Sequence, residues 1–375
     1  MKRALALAFA AALLGAALVD WTQRSWRIAV AIAALSVVGV VWALVARDLR
    51  WPRQLLVVVP LTLWGVAQLV TRTTAVPYRT HHDAALWAMC GVSFLLGSQI
   101  LSDRHARHRF LDALMWGGAG LAVIGILQFY STPTKAYGIF PMLAGGMGPF
   151  HYRNQFAAFM EMTAGIALWR IRFGNPVSAS ICFAIMFAAA LTSPSRSGVV
   201  LICTELLAFL VTAFVQRAAS QSSLRAIILI LFAAGAALVA GLQPALDRME
   251  LHVDPGDLRV EFARSTIRMV EERPWTGFGM GTWSSVYPGF ANVDYALVAN
   301  EAHDDWLQWA SEGGIPFALL MAVLVIWLAK PAVDSVWGLG LLLVMAHSAV
   351  DYLLRDPVLG FTWFAMAGAL AAWRD

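Results

Sequence analysis

Apolar runs of about twenty residues recur from one end of the chain to the other, separated by short polar stretches. A helix rises about 1.5 Å per residue, so a run of about twenty crosses the hydrocarbon core of a bilayer. Twelve such spans are read, at 4–19, 27–46, 54–70, 84–102, 110–130, 154–169, 176–191, 197–216, 225–243, 315–329, 332–350 and 358–373. Each helix satisfies its own backbone, and the pattern is that of an all-α, polytopic membrane protein. It is expected to form a single integral-membrane domain over 1–375, with an outer loop at 131–153 and a larger polar segment at 244–302.

Composition agrees, with 59% of the 375 residues hydrophobic and 13% charged. The first run follows MKR and has the build of a secretory signal. With eleven spans behind it, it is read as a retained helix. Of the 27 Lys and Arg, 14 fall in loops on the side that holds both termini. Only six, Arg24, Arg27, Arg72, Arg79, Arg196 and Arg355, lie in the short loops opposite, and the rest sit in the two long segments. Positive loops stay in the cytoplasm. Both termini are therefore expected there, with the long segments outside. The net charge of +4 is accounted for without nucleic acid. Cys90, Cys182 and Cys203 lie in apolar spans without a CxxC or a nearby His, which reads as buried packing thiols.

Three departures from plain membrane helix stand out. In "YGIFPMLAGGMGPFHYRNQFAAFMEM" the glycines break any helix, and Asn154 is placed to cap the next span. In "LTSPSRSGVV" Arg196 occupies a tight turn on the outer side, against the charge bias. It is either a snorkelling anchor or a ligand for an anion. Residues 257–273, ended by Pro274, form an amphipathic helix. Glu261, Arg264, Arg268, Glu271 and Glu272 fall on a face of alternating charge that suits solvent. Arg259 lies on the opposite, apolar half with Phe262, Thr266 and Met269, and Arg273 joins it near the far end. An arginine so placed wants an anion. The following "GFGMG" neither follows a strand nor opens a helix, so a nucleotide loop is rejected. Its glycines are expected to let the loop lie close against the bilayer or a ligand.

The polar stretch "NEAHDDWLQWASEGGIP" precedes the tenth span. His303 is expected to begin that helix, sharing a face with Trp306, Leu307 and Ala310. Capping and catalysis both remain open for it. His303, Asp304 and Asp305 stand in a row and cannot all turn to one ion from a helix, so no metal and no other cofactor is called for. Arginines form bidentate hydrogen bonds with phosphate, and histidine can take a proton from a hydroxyl near neutral pH. Arg196, Arg259, Arg273 and His303 together suggest group transfer from a lipid diphosphate.

In order along the chain, "GPFHYRNQFA", "SPSRSG", "LRVEFARSTIRMVEERPWTGFG", "HDDWLQWASEGGIP" and "HSAVDYLLRDP" resemble the O-antigen ligase and polysaccharide polymerase superfamily. The motifs span 138–357, and the first five spans match only in hydropathy. The resemblance implies a GT-C-type glycosyltransferase of the bacterial inner membrane. It implies transfer of glycan from undecaprenyl diphosphate to an acceptor sugar hydroxyl on the periplasmic face, without metal or nucleotide sugar. By position, Arg196 and Arg259 are expected to engage the donor diphosphate. His303 is expected to act on the acceptor hydroxyl or leaving phosphate, with Arg273, Asn154, Glu161 and Asp304 contributing to substrate binding. His303-Asp304 replaces the usual HN, and Ser195-Arg196-Ser197 the usual SRG. The compact outer segments and "HSAVDY" tilt the reading towards polymerase rather than ligase. A rival class is a transporter of a small anion or ion-coupled solute, because Glu161 and Glu205 lie inside spans. Glu161 also lies seven residues from Asn154, on the same helix face.

Overall fold

The computed structural model describes all residues except 23, 47, 48, 50, 143, 144, 216–226, 232, 233, 236–254, 293–297, 374 and 375. Eight helices lead the chain: α1 (Lys2–Leu18), α2 (Arg24–Val45), α3 (Leu55–Thr71), α4 (Pro77–Ile100), α5 (Arg104–Ser131), α6 (Arg153–Phe173), α7 (Pro176–Thr192) and α8 (Arg196–Val215). After the stretch that held the expected ninth span, most of which lies outside the described residues, come α9 (Pro255–Glu272) and the short α10 (Trp283–Val286). The chain closes with α11 (Asp305–Ser335), α12 (Leu339–His347) and α13 (Pro357–Ala371). Between α5 and α6 a small hairpin pairs Lys135–Ala136 with Phe140–Pro141.

Local signals set several of these starts. Asp103, Asn175 and Asp356 each accept a first-turn N–H through the side chain, and Pro77, Pro176 and Pro357 occupy the first turn, where no N–H is needed. Among the described residues, α2, α4, α5 and α11 are long and apolar enough to cross a membrane, and α3, α7 and α13 are shorter apolar helices. This is a membrane protein built of transmembrane helices. The expected eleventh span is shorter than read: α12 is 9 residues long, and residues 348–356 form a turn-rich link to α13. Polar groups at 347–356 explain the break, since they bond across the bundle instead of along a helix.

The centre of the bundle is α6, buried continuously from Asn154 to Trp169, together with α13, buried from Pro357 to Leu370. Around them Trp87 meets Trp309, Phe317 and Phe364 edge-on. The outer faces of α2 and α3 leave Val40, Leu44, Leu56 and Val70 exposed, as lipid-facing helices do. Cys90 and Cys182 are buried as expected, whereas Cys203 is exposed on such a face.

Successive helices alternate in direction, and one end of the bundle gathers the C-termini of α1, α3, α5 and α7 with the N-termini of α2, α4, α6 and α8. Asp20 after α1 binds Arg27 of α2 at 3.4 Å and the His151 N–H at 3.1 Å; Ser193 after α7 donates to the Arg153 carbonyl at 3.3 Å. Helix α9 meets this end through Arg259, which bonds to the Val350 carbonyl and the Asp351 carboxylate.

Candidate functional site

Asp351, in the link between α12 and α13, is the organising residue of this end. Its side chain is 1% exposed and receives four donors or partners. The Tyr352 N–H donates to Oδ1 at 2.8 Å, His303 Nδ1 lies 3.3 Å from Oδ1, Arg259 Nη2 lies 3.4 Å from Oδ2, and the Asn154 amide donates to Oδ2. Burial works to raise the carboxyl pKa, but the hydrogen bond and charge of His303, the Tyr352 N–H and Arg259 outweigh it and hold it below its usual range. Asp351 is therefore an anion that fixes three side chains from three separate stretches of the chain. Arg259 also donates to the Val350 carbonyl at 3.1 Å, with its side chain still 41% exposed.

His303 departs from the sequence expectation. It does not open a helix. Its φ is +55°, and Asp304 is the cap of α11, accepting the Leu307 N–H at 2.9 Å. The imidazole instead sits in an aromatic frame, parallel to Phe262 at 6.0 Å and edge-on to Tyr352 at 4.9 Å. Asn154 likewise does not cap α6. Tyr152 holds the cap position without a side-chain bond to the helix N–H groups, and the Asn154 amide donates to Asp351 and, at 3.3 Å, to the Tyr152 hydroxyl. Asp304, as the helix cap, lies beside the centre without bonding to Asp351.

A second buried network holds the 301–303 backbone in place. Arg355 Nη2 binds both oxygens of Asp83 at 3.0 Å, and Nη1 reaches Glu312 at 2.8 Å and Glu301 at 3.3 Å. Burial disfavours its charge, yet the three carboxylates raise its pKa well above the ordinary value. Gln308 donates to Glu301 at 2.8 Å and accepts the Ala302 N–H at 2.8 Å, which fixes the residue before His303. Glu312 also takes the N–H groups of Gly281 and Trp283, each at 3.0 Å. The glycine loop after α9 thus packs closely against α11. A Cβ at Gly277 would stand 2.3 Å from the Glu312 carbonyl, and one at Gly314 2.5 Å from that of Trp275; both residues have positive φ. The α9-to-α10 loop and the kink of α11 lock at these two positions.

The expected charged face of α9 also needs correction. Arg264 is exposed, but Glu261 is buried, bonded to Ser265 and to the Asn292 N–H at 2.9 Å each. Arg268 donates to Asn292 at 2.7 Å. The loop after α10 folds back over part of this face and gives Glu261 and Arg268 partners.

Of the other candidates, Arg196 is exposed at the start of α8. There Ser195 caps the Gly198 N–H at 3.1 Å, and Gly198 packs on Ala157 of α6, one turn from Asn154. Arg259, through Asp351, and the start of α8, through Gly198, thus both meet the first turns of α6. Arg273 is elsewhere: it lies fourteen residues beyond Arg259, about 21 Å along a helix. It shares a groove with Arg72, Thr73 and Trp275 and sits 4.5 Å over Phe278. Glu161 is fully buried and pairs with His347 at 2.9 Å.

Residues 181–322 match the O-antigen ligase family. The match bears out the resemblance read from the motifs over that stretch, which holds Arg196, Arg259, Arg273, His303 and Asp304. It supports a glycan ligase or polymerase type of function in a broad sense. No curated protein matches the chain. Sequence reasoning missed Asp351, Tyr352 and Arg355, although "HSAVDYLLRDP" carried a signal: three charged residues within six, between apolar spans.

Proposed function

We propose that this protein transfers glycan from undecaprenyl diphosphate to an acceptor sugar hydroxyl at the periplasmic face of the bacterial inner membrane, with both termini cytoplasmic. The single observation that carries the reading is the His303–Asp351 pair beside the half-exposed Arg259 fork. With Nδ1–H donated to the Asp351 carboxylate, His303 keeps its Nε2 lone pair for the incoming hydroxyl. The acceptor oxygen loses its proton to Nε2 and bonds to the anomeric carbon as the bond from that carbon to the diphosphate oxygen breaks. Negative charge grows on the departing oxygen, and fixed guanidinium groups there stabilise the transition state more than the ground state. Arg259 and Arg196 take this role.

Arg273 offers a further contact for the carrier at the edge of the bundle, while Asn154 and Asp304 hold the surroundings of Asp351 and His303. Joining of lipid-linked repeats is favoured over transfer of finished glycan to lipid A core. The test is purified protein with a lipid-diphosphate glycan, its products resolved on a gel. Longer glycan on lipid carrier supports the polymerase; turnover untouched by His303→Ala removes the reading altogether.

A further inference from the structure

Glu161, Glu205 and His347 meet where α6, α8 and α12 pack together. Glu161 Oε1 is 2.9 Å from His347 Nδ1, and both side chains are 0% exposed. Among the described residues, the other Glu161 oxygen, His347 Nε2 and both Glu205 carboxyl oxygens are buried and have no hydrogen-bond partner. The helices close tightly around them: a Cβ at Gly165 would lie 2.6 Å from Glu205 Oε1, and one at Gly340 2.4 Å from the Glu161 carbonyl. An ionised carboxylate with neither donor nor counter-ion is strongly disfavoured in such an interior. Among the described residues no group of three or more His, Cys, Asp or Glu is arranged to hold a metal ion. The smallest cation that neutralises the site is a proton.

We propose that these three residues form a proton-binding site inside the bundle, in which Glu205 holds one proton as a neutral acid and Glu161 shares a second with His347. Between Glu161 and His347 Nδ1 the shared proton moves across 2.9 Å as an O–H bond breaks and an N–H bond forms. Two connections join this site to the His303–Asp351 centre. The His347 carbonyl accepts the Val350 N–H at 3.0 Å, and the Val350 carbonyl accepts Arg259 at 3.1 Å. Helix α8, which carries Glu205, starts at Arg196 and rests on α6 through Gly198 and Ala157. Among the described residues, the charged groups acting on His347 are Glu161, Asp351 and Arg259, and the one acting on Glu205 is Glu161. Loss of the Glu205 proton sets two carboxylates against one imidazolium and forces α8 away from α6, carrying Arg196 with it.

Only this coupling rests on the glycan-transfer reading; the bound proton does not. Infrared spectroscopy of the intact protein reads a protonated carboxyl through a C=O stretch that shifts in D₂O. One component of that band is expected at neutral pH, lost in Glu205→Gln and kept in Asp334→Asn, a change to an exposed carboxylate that pairs with Lys330 in α11. A spectrum unchanged by Glu205→Gln overturns the site whatever the activity. Transfer is then followed against pH. Glu205→Gln is expected to keep its neutral-pH turnover and to extend the alkaline limb by at least about one pH unit, since an amide has no such proton to lose. An unchanged limb overturns the coupling and leaves the donor reading standing. If Glu205→Gln does not accumulate, the wild-type band is titrated instead and must vanish over the pH range in which transfer falls; a band that persists through it overturns the proposal.

Discussion

His303 Nδ1 lies 3.3 Å from Asp351 Oδ1, a contact made across 48 residues of chain. The carboxylate fixes the imidazole's tautomer, and the same carboxylate reaches Arg259 and Asn154 through its other oxygen. One buried anion therefore orients an imidazole, a guanidinium fork and the first turn of the central helix.

His303→Ala is expected to lower turnover by about 10²- to 10⁴-fold, the ordinary contribution of a general base. Asp351→Asn should cost a similar amount, because the imidazole loses its orienting acceptor. The double variant should be little worse than either single one, as for residues acting as a unit. Turnover measured with lipid-linked donor decides; losses that multiply would separate the two residues.

Arg259→Ala and Arg196→Ala are each expected to reduce transfer by about 10²- to 10³-fold without loss of protein from the membrane. Arg264→Ala, on the exposed side of α9, should be mild. Lysine at 259 should rescue poorly, since a point charge cannot reproduce the planar fork. Equal activity for the alanine variants at 259 and 264 would count against the mechanism.

Arg355→Met should destabilise the fold by about 3–5 kcal/mol, because three buried carboxylates lose their shared cation. Thermal unfolding in detergent reads this directly. Full stability would show that the network is dispensable.

Gly277→Ala is expected to cost about 1–3 kcal/mol. The added methyl meets the Glu312 carbonyl at 2.3 Å in a backbone of φ +63°. The same measurement applies, and a neutral result would place the loop farther from α11.

The Asp351 carboxyl is held below its usual range. A depressed folded pKa contributes stability that is fully present above the unfolded value, near 3.9, and is lost as pH falls through the folded value. The stability gap between wild type and Asp351→Asn should therefore be widest near neutral pH and narrow in acid below the ordinary carboxylate range. A gap that widens there contradicts the pairing.

The amino-acid pattern by itself determined the helical membrane architecture, the amphipathic α9 and the polar positions at which chemistry was sought. Those features follow from local periodicity, because a span or an amphipathic face is encoded within some twenty neighbouring residues. Arg259 was recognisable from its misplaced charge on an apolar face. Only the tertiary structure decided what these residues do to one another. His303 looks like a helix residue in sequence and Asn154 like a cap, yet both turn to Asp351, which arrives from a link between later helices. Glu261 and Arg268 read as a solvent face until the loop after α10 covered them. A carboxylate gathers partners through space, and no spacing along the chain announces which helix end will bring it.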